Sequence, residues 1–336
     1  MFLGLKELKY NWLRSALLGG IAALLAFMVF MLLGLTRGLS QDSAAWLLES
    51  PAQTFLTTQD SQGNFTRSFI GPAAVKAVQE KWPQAAPFAQ SFVSFSVNQP
   101  QGPQLGGVLL GVEPGSLLAP AAVAGSSLGP GGVVADISLQ EDGVQLGDTL
   151  ILKPGGERLR VTGFTQSARL NHQPAVFVSL ADWQKLSPRA AGTVSGLGLP
   201  EADVPPLAGL RAQSRAGALQ ALQGYKEEQG SLLMIQVFLV AVSALVMAVF
   251  FYVMTLQKTA QFGLLKALGA RLSTLAGSVI VQVLTLSLLA TVVAAAATYG
   301  VTQVLPDGIP FALSWGRLRR VLPCCWPCRC WAACSA

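Results

Sequence analysis

Three long runs of apolar residues divide the chain into alternating apolar and mixed segments. The first run has no charged residue from Ser15 to Thr36, and similar runs cover residues 232–256 and 275–301. A bilayer core about 30 Å thick is crossed by roughly 20 apolar helical residues, because each residue adds about 1.5 Å. The pattern therefore predicts three transmembrane helices, at 15–36, 232–256 and 275–301.

The long segment 37–231 has the alternating pattern of a folded domain. Its β-rich runs are separated by Gly and Pro clusters, and Lys153–Glu157 has the composition of a hairpin turn. The predicted strands are 91–97, 106–112, 132–139, 148–153, 157–165 and 174–180; the predicted helices are 71–82 and 207–229. We therefore expect an α+β membrane protein in which one large mixed α/β domain separates the first two spans. The last helix of this domain is expected to lead directly into the second span.

Composition agrees with the apolar pattern. Hydrophobic residues make up 51% of the 336 residues, charged residues make up 12%, and the mean hydropathy is +0.49. These values are too apolar for an ordinary soluble domain.

Charge placement predicts the orientation of the spans. Residues 1–14 contain three basic residues and one acid, and residues 257–271 contain three basic residues and no acid. Basic segments beside spans usually stay cytoplasmic, so we expect a multi-pass inner (plasma) membrane protein with a cytoplasmic N-terminus. Segment 37–231, with 13 basic and 15 acidic residues, is then extracytoplasmic. The bases serve as orientation signals, so no nucleic-acid partner is predicted.

The first apolar run has a second interpretation, a cleaved signal peptide, because basic residues precede it. Signal peptides have apolar cores of roughly 7–15 residues, and the run here is longer. No small-residue cleavage site follows directly after it. The sequence therefore favours a membrane anchor.

No catalytic or cofactor site is predicted. His172 is the only histidine, so it cannot complete a histidine metal site, and we expect it to be a solvated loop residue. The Gly-rich stretches lack the Gly-Lys-Ser/Thr of a phosphate-binding loop. The chain is therefore expected not to be an enzyme, and to have no catalytic residue, no cofactor and no metal site.

Residues 257–270, QKTAQFGLLKALGA, have the pattern of a short amphipathic helix between two spans. Phe262, Leu265 and Leu268 recur at three-residue spacings, and Gly269 can end the helix in a left-handed conformation. Such a helix either lies on the membrane surface or inserts its apolar face into a groove of a cytoplasmic partner. Periodicity alone does not decide between the two.

The same stretch resembles the cytoplasmic motif of FtsX-like, or MacB-type, permeases of ABC transporters, which ends in Gly-x-Leu-Lys-Ala-x-Gly-Ala. That family also has one span, a large external domain and then three spans. Gln257 and Gln261 stand where many members of the family have glutamates. This difference weakens the prediction that the coupling helix forms salt bridges with its partner. The glutamines, the opening MFLGLKELKYNWLR and the run GLSQDS resemble the hemin-exporter branch.

The resemblance implies a homodimeric permease in the lipid membrane, with a separate cytoplasmic ABC ATPase docked on a coupling helix at 257–271. The residues implied in this coupling are Lys258, Gln261, Phe262, Gly263, Leu264, Leu265, Lys266, Leu268 and Gly269. The complex would export or extract a hydrophobic substrate, hemin being the candidate. The alternative is a mechanical signalling subunit that regulates an external hydrolase or a sensor kinase.

The substrate is expected near the outer membrane face, between dimer-related first and second spans, so that heme tolerance would depend on the outer ends of these spans and not on His172. The side chains offered by those spans are Met28, Met31, Met234, Met247, Met254 and Tyr252. Methionine in a span usually serves packing, so the substrate-contacting residues stay unknown.

The tail 316–336 follows a predicted external loop at 302–315 and contains all five cysteines. The family would have a fourth span here. Cysteine is TGY and tryptophan is TGG, so reading one nucleotide earlier converts their codons to NTG, which encodes Leu, Met or Val. A shifted reading frame therefore explains this aberrant tail; an unstructured tail and a soft-metal site are the alternatives. Resequencing across codons 316–322 would distinguish them.

Overall fold

The structure is a computed structural model that describes residues 12–166, 168–187, 192–205, 207–257, 259–269 and 272–304. It divides into two compact units. One, here called the sheet unit, is Leu39–Ser231. The other, the helical unit, contains the described residues before 39 and after 231. The N-terminal segment before Trp12, most of the predicted loop 302–315 and the Cys-rich tail 316–336 lie outside the described residues.

The helices include three that are far longer than the others. Their bounds are α1 Trp12–Glu49, α2 Pro72–Lys81, α3 Leu180–Leu186, α4 Arg215–Ala221, α5 Tyr225–Gln257, α6 Thr259–Ala267 and α7 Leu272–Thr302. Within the described ranges, Ala16–Glu49, Tyr225–Gln257 and Val279–Thr302 are long and apolar enough to cross a membrane. Each of the three predicted runs is therefore helical, and α1 and α5 continue as helices into the sheet unit.

Small side chains allow α7 to pack closely within the helical unit. One face of α7 is buried at every fourth residue, as expected for positions that lie above one another on a helix. These residues are Gln282, Leu286, Ala290, Ala294 and Thr298. Leu286 Cδ2 lies 3.6 Å from the position that a Cβ on Gly19 of α1 would occupy. The glycine thus gives α7 room to approach α1, as small residues do between membrane helices.

The sheet unit is built on one mixed sheet. Its strands are β1 Thr54–Thr58, β2 Ala86–Val97, β3 Leu105–Val112, β4 Ala122–Gly125, β5 Gly132–Asp136, β6 Thr149–Lys153, β7 Arg158–Thr165, β8 Arg169–Leu170, β9 Gln173–Ser179, β10 Gly196–Leu199 and β11 Leu210–Ser214. Their order is β11-β1-β10-β2-β3-β9-β5-β7-β4, with β6 paired to β2 and β7, and β8 paired to β9. The fold class of this unit is therefore mixed α/β.

An aromatic cluster holds the last turns of α1 against this sheet. Trp46 packs edge-on against Phe88 of β2, with ring centroids 5.2 Å apart, and Phe88 in turn contacts Phe55 and Phe65. Ala44 has non-helical dihedral angles, which kink α1 just before Trp46. Burial of these large rings places the end of α1 on the sheet. The polar residues Asp42 and Ser43, just before the kink, are thereby positioned as well.

All six predicted strands are present, as β2, β3, β5, β6, β7 and β9, but the prediction 132–139 is too long: β5 ends at Asp136, and Ile137–Gln140 forms a 3-10 helix. The predicted turn joins β6 to β7, and Gly156 there has a φ of 78°. The backbone N–H of Gly156 donates to the carbonyl of Leu152 at 2.8 Å. The predicted helix at 71–82 is α2. Local periodicity was therefore sufficient for these elements.

The predicted helix at 207–229 is wrong as a single element. Leu210–Ser214 is strand β11, which pairs with all five residues of β1. The chain then forms α4, breaks at an extended Leu222, and passes through Gly224 at a φ of 82° before α5 begins. The backbone of β1 needs a partner on this side, and supplying it outweighs the helical propensity of the segment. The continuous helix into the second span begins only at Tyr225.

Candidate functional site

The predicted coupling segment forms a short helix between two long ones. Helix α6 lies between α5 and α7 in the chain. Leu264 of α6 and Leu268, directly after its end, are exposed, with 66% and 77% of each residue accessible. These leucines are four residues apart and so lie on one side of the segment. Gly263 and Lys266 are exposed as well. The segment therefore presents apolar side chains beside a positive charge.

Gly269 ends this segment as predicted. Its φ is 89°, and its N–H donates to the carbonyl of Lys266 at 3.0 Å. A residue with a Cβ is strained in this conformation, which explains the glycine. Of the other predicted coupling residues, Gln261, Phe262 and Leu265 belong to α6, and Lys258 lies outside the described residues.

A second feature is an apolar groove between α1 and α5 within the helical unit. Its volume is about 460 Å³. It is lined by Val29, Leu32, Leu33, Leu233, Gln236, Val237, Leu239, Val240 and Ala241. The side-chain amide of Gln236 donates to Thr36 Oγ1 at 2.8 Å, which ties the two helices together. The candidate methionines and Tyr252 are not among these lining residues.

A third feature is a group of polar side chains in the sheet unit, here called the polar cluster. It consists of Asp42 and Ser43 from α1, Arg169 and His172 from the β8–β9 hairpin, and Glu228 from the first turn of α5. Asp42 Oδ1 lies 2.6 Å from Arg169 Nε, and Asp42 Oδ2 lies 2.6 Å from His172 Nδ1. The other ring nitrogen, His172 Nε2, lies 3.0 Å from Ser43 Oγ and 3.4 Å from Glu228 Oε2.

The hairpin turn explains how His172 reaches α1. Asn171 and His172 join β8 to β9 and both have positive φ, 51° and 60°, as in a two-residue type I′ turn. Asparagine and histidine are both enriched among the non-glycine residues that adopt this conformation. The backbone N–H of Asn171 donates to the carbonyl of Ser43 at 2.7 Å, and Arg169 donates to the carbonyl of His172 at 3.2 Å. The turn is thus held on α1 by main-chain and side-chain contacts together.

The partners of the ring define its hydrogen bonding. An ionised carboxylate only accepts hydrogen bonds, so Nδ1 carries the hydrogen that it donates to Asp42. This carboxylate–histidine pair is the arrangement that orients metal-bound histidines in proteins, with the opposite nitrogen directed at the metal. Close by, Ser40 Oγ and the hydroxyl of Tyr225 are 2.8 Å apart and tie α1 to the start of α5 a second time.

The expectation that His172 is a solvated loop residue is wrong in part. It does lie in a turn, and 46% of its side chain is accessible. Both ring nitrogens nevertheless have partners, because the hairpin, α1 and α5 meet at this point. Asp42, Ser43, Arg169 and Glu228 had not been predicted as functional residues. The one feature of the sequence that could have indicated them is the position of Asp42 shortly after the first apolar run and of Glu228 shortly before the second.

Across the residues that the structure describes, no group of three or more His, Cys, Asp or Glu side chains is arranged to hold a bare metal ion. The five cysteines, and with them the soft-metal site that is one alternative for the tail, lie outside that part of the chain. The polar cluster is instead a hydrogen-bonded set with one accessible imidazole.

Comparison with known proteins adds family information. Residues 233–320 match the family described as FtsX-like permease C-terminal. A protein named as hemin transport system permease HrtB of Staphylococcus epidermidis is 24% identical over 330 residues, which is 96% of this chain and 91% of that protein. A protein of the same name from Staphylococcus haemolyticus is 21% identical over 322 residues, covering 95% of this chain and 90% of that protein.

Two solved structures are also similar. The periplasmic region of MacB from Actinobacillus actinomycetemcomitans is 13% identical with a TM-score of 0.36, and the match covers 53% of this chain and 98% of that one. The extracellular domain of the ABC-type transporter YknZ from Gram-positive bacteria is 12% identical with a TM-score of 0.32, covering 53% of this chain and 94% of that one.

Proposed function

We propose that this chain, whose residues 233–320 match the FtsX-like permease C-terminal family, is the membrane subunit of an ABC transporter that exports hemin. It works as a homodimer in the cell membrane with a separate cytoplasmic ATPase. The observation that carries the proposal is the similarity of almost the whole chain to permeases named for hemin transport. ATP hydrolysis takes place on the partner, and this chain converts it into movement.

The coupling segment is where that partner docks. Leu264 is an exposed leucine on a short helix between two span-length helices, and Leu268 is exposed directly after that helix. An amphipathic helix binds an apolar groove through such side chains. Helix α5 runs without interruption from Tyr225 to Gln257 and ends at this segment. This continuous helix of 33 residues is the element through which the proposed displacement would be passed from the coupling segment towards Tyr225.

The proposed orientation places the coupling segment inside the cell and the sheet unit outside. Its support is the excess of basic residues in segments 1–14 and 257–271. In a variant with the five tail cysteines replaced by serine, a cysteine at the exposed Ser127 is expected to react with an impermeant thiol reagent in intact spheroplasts. A cysteine at Ser273 is expected to react only after the membrane is opened. The reverse pattern would overturn the orientation.

The polar cluster is the proposed contact for the iron of hemin. Histidine is a common axial ligand of haem iron, and His172 is the only histidine in the chain. Asp42 holds Nδ1, so Nε2, which in this structure faces Ser43 and Glu228, is the nitrogen proposed to contact iron. Asp42 lies a few residues after the first apolar run, and Glu228 lies a few residues before the second. In the proposed orientation, both residues would therefore be close to the outer membrane face. A planar apolar molecule dissolved in the outer leaflet would meet the protein there.

The direct test is transport in membrane vesicles. The chain is co-expressed with a candidate ABC ATPase, and inside-out vesicles are supplied with hemin and ATP. We expect ATP-dependent uptake into the lumen, which corresponds to export from the cell, and none when the ATPase carries an inactivating substitution in its own nucleotide site.

The same assay separates transport from the alternative, mechanical signalling. A signalling subunit would also couple α5 to an ATPase, but it would move no hemin. Hemin-stimulated ATP hydrolysis without uptake would therefore favour signalling to an external hydrolase or a sensor kinase. Absence of both responses would contradict the hemin proposal.

A further inference from the structure

The sheet unit contains a cavity where the end of α1 meets the sheet, here called the α1 cavity. Its volume is about 440 Å³, which lies within the range of roughly 300–1,000 Å³ that is usual for small-molecule sites. The last turn of α1, the segment between β3 and β4, strand β4 and the segment between β7 and β8 all contribute to its lining. None of the five residues of the polar cluster lines it, so it is a separate site.

The floor of the α1 cavity is apolar. Trp46, Leu118, Ala168 and Phe177 line it, and all four are buried members of one core cluster of the sheet unit. Val123 of the short strand β4 forms part of the wall, and 52% of it is accessible. A ligand of this cavity would therefore place an apolar body against the two large rings and the aliphatic side chains.

One carboxylate gives the α1 cavity its charge. Glu49, the last residue of α1, is exposed and lines the cavity, and no lining residue is basic. Two lining hydroxyl groups are already used within the protein, because Ser50 Oγ accepts from the backbone N–H of Ala52 and Thr165 Oγ1 donates to the carbonyl of Ala121. The carboxylate of Glu49 is thus the ionised group that the lining offers to a ligand.

Glu49 is not neutralised by a neighbouring base. Within the described ranges, none of the ion pairs includes its carboxylate. Arg215 approaches the end of α1, but its guanidinium donates to the backbone carbonyls of Leu48 and Ala52, both at 3.3 Å. The negative charge at the α1 cavity therefore has no side-chain counterion in this part of the chain.

We propose that the α1 cavity binds a small apolar organic cation. The apolar floor takes up the body of such a molecule, and Glu49 attracts its charge. The rings of Trp46 and Phe177 favour the same sign, because the face of an aromatic ring attracts cations. An apolar anion would instead be repelled by Glu49. Hemin carries two carboxylates, so this site is distinct from the proposed hemin contact and does not depend on it.

The experiment measures how a ligand protects a single cysteine in the wall. Val123 is replaced by cysteine in the full-length chain whose five tail cysteines are serine, and the purified protein is treated with iodoacetamide in a non-ionic detergent. Tetraphenylphosphonium and tetraphenylborate are the probes, because they have nearly the same shape and opposite charge. Tetraphenylphosphonium is expected to slow the modification at least about tenfold at saturation, and tetraphenylborate is expected to have little effect. A cysteine at the exposed Ser127, which does not line the cavity, is expected to react at an unchanged rate with either probe.

The charge of the site is tested with matched variants in the same background. Glu49→Gln keeps the size of the side chain and removes its charge, so the tetraphenylphosphonium concentration for half protection is expected to rise about tenfold. Glu141→Gln removes an exposed acid of the same unit that does not line the cavity, and it is expected to change nothing. Ala121 is exposed and lines the cavity. Ala121→Lys is therefore expected to weaken the protection, and Ala121→Glu is expected to strengthen it.

Each contrary result contradicts the proposal. Equal protection by tetraphenylborate and tetraphenylphosphonium would show that the cavity accepts apolar molecules regardless of charge. Unchanged modification with both probes would show that it is not a ligand site. Protection that is the same in Glu49→Gln, Ala121→Lys and Ala121→Glu as in the parent chain would show that the carboxylate does not select the ligand. The hemin proposal stands or falls separately, since none of these measurements uses hemin or His172.

Discussion

Replacement of Leu264 by aspartate is expected to abolish co-purification of the ATPase and hemin-stimulated ATP hydrolysis. Leu264 is among the most exposed leucines of the coupling segment, so the folded chain tolerates a polar residue there. In a complex, the same position would be buried in an apolar groove. An unpaired carboxylate in such a groove costs several kcal/mol, which corresponds to a loss of at least about a hundredfold in affinity. Phe262→Asp is expected to have the same effect.

A matched control for Leu264→Asp is Leu146→Asp, because Leu146 is also an exposed leucine but lies in the sheet unit. This variant is expected to keep the ATPase and its stimulation. Co-purification measured by affinity capture in detergent gives the first reading, and phosphate release gives the second. Unchanged association of both Leu264→Asp and Phe262→Asp would show that the coupling segment is a membrane-surface connector.

Replacement of His172 by alanine is expected to lower hemin affinity at least about tenfold and to remove the spectral features of a histidine-bound iron. The variant loses the only imidazole of the chain, and a methyl group cannot ligate iron. Asp42 and Arg169 remain paired, so the sheet unit is expected to stay folded. Titration of the purified chain with hemin, followed by absorption, measures both changes.

The control for His172 is a substitution that keeps an iron ligand. His172→Tyr offers a phenolate at the same turn position, so we expect hemin binding with a shifted spectrum. If His172→Ala binds hemin with the wild-type spectrum and affinity, the iron contact lies elsewhere. The site between the first and second spans, with candidates such as Met28 and Met234, would then be preferred.

Regular elements were predictable where the signal repeats within a few residues. The run 106–112 became β3, and 71–82 became α2, because period-2 and period-3.6 patterns depend on neighbours in the chain. Short strands were missed: β1, β10 and β11 have only four or five residues each. Such strands exist because each completes the hydrogen bonding of another, as β11 does for β1. No local pattern records that need.

The two candidate functional regions also differ in how far the sequence could predict them. The coupling segment 257–270 is contiguous, so its amphipathic pattern and its terminal glycine could be found in the sequence. The polar cluster draws Asp42, His172 and Glu228 from three distant parts of the chain. A lone histidine in a turn carries no sign of its partners, and for this reason His172 was expected to be solvated.

The amino-acid sequence by itself determined the three apolar helices, most of the longer strands and the position of the short helix in the predicted coupling segment, because each depends on residues close together in the chain. The tertiary structure decided the pairing of Asp42 with His172, the approach of Glu228 to the same ring, and the packing of Trp46 that places α1 on the sheet. These contacts depend on strand order and on the burial of large rings. They arise only when elements far apart in sequence are brought together by the fold.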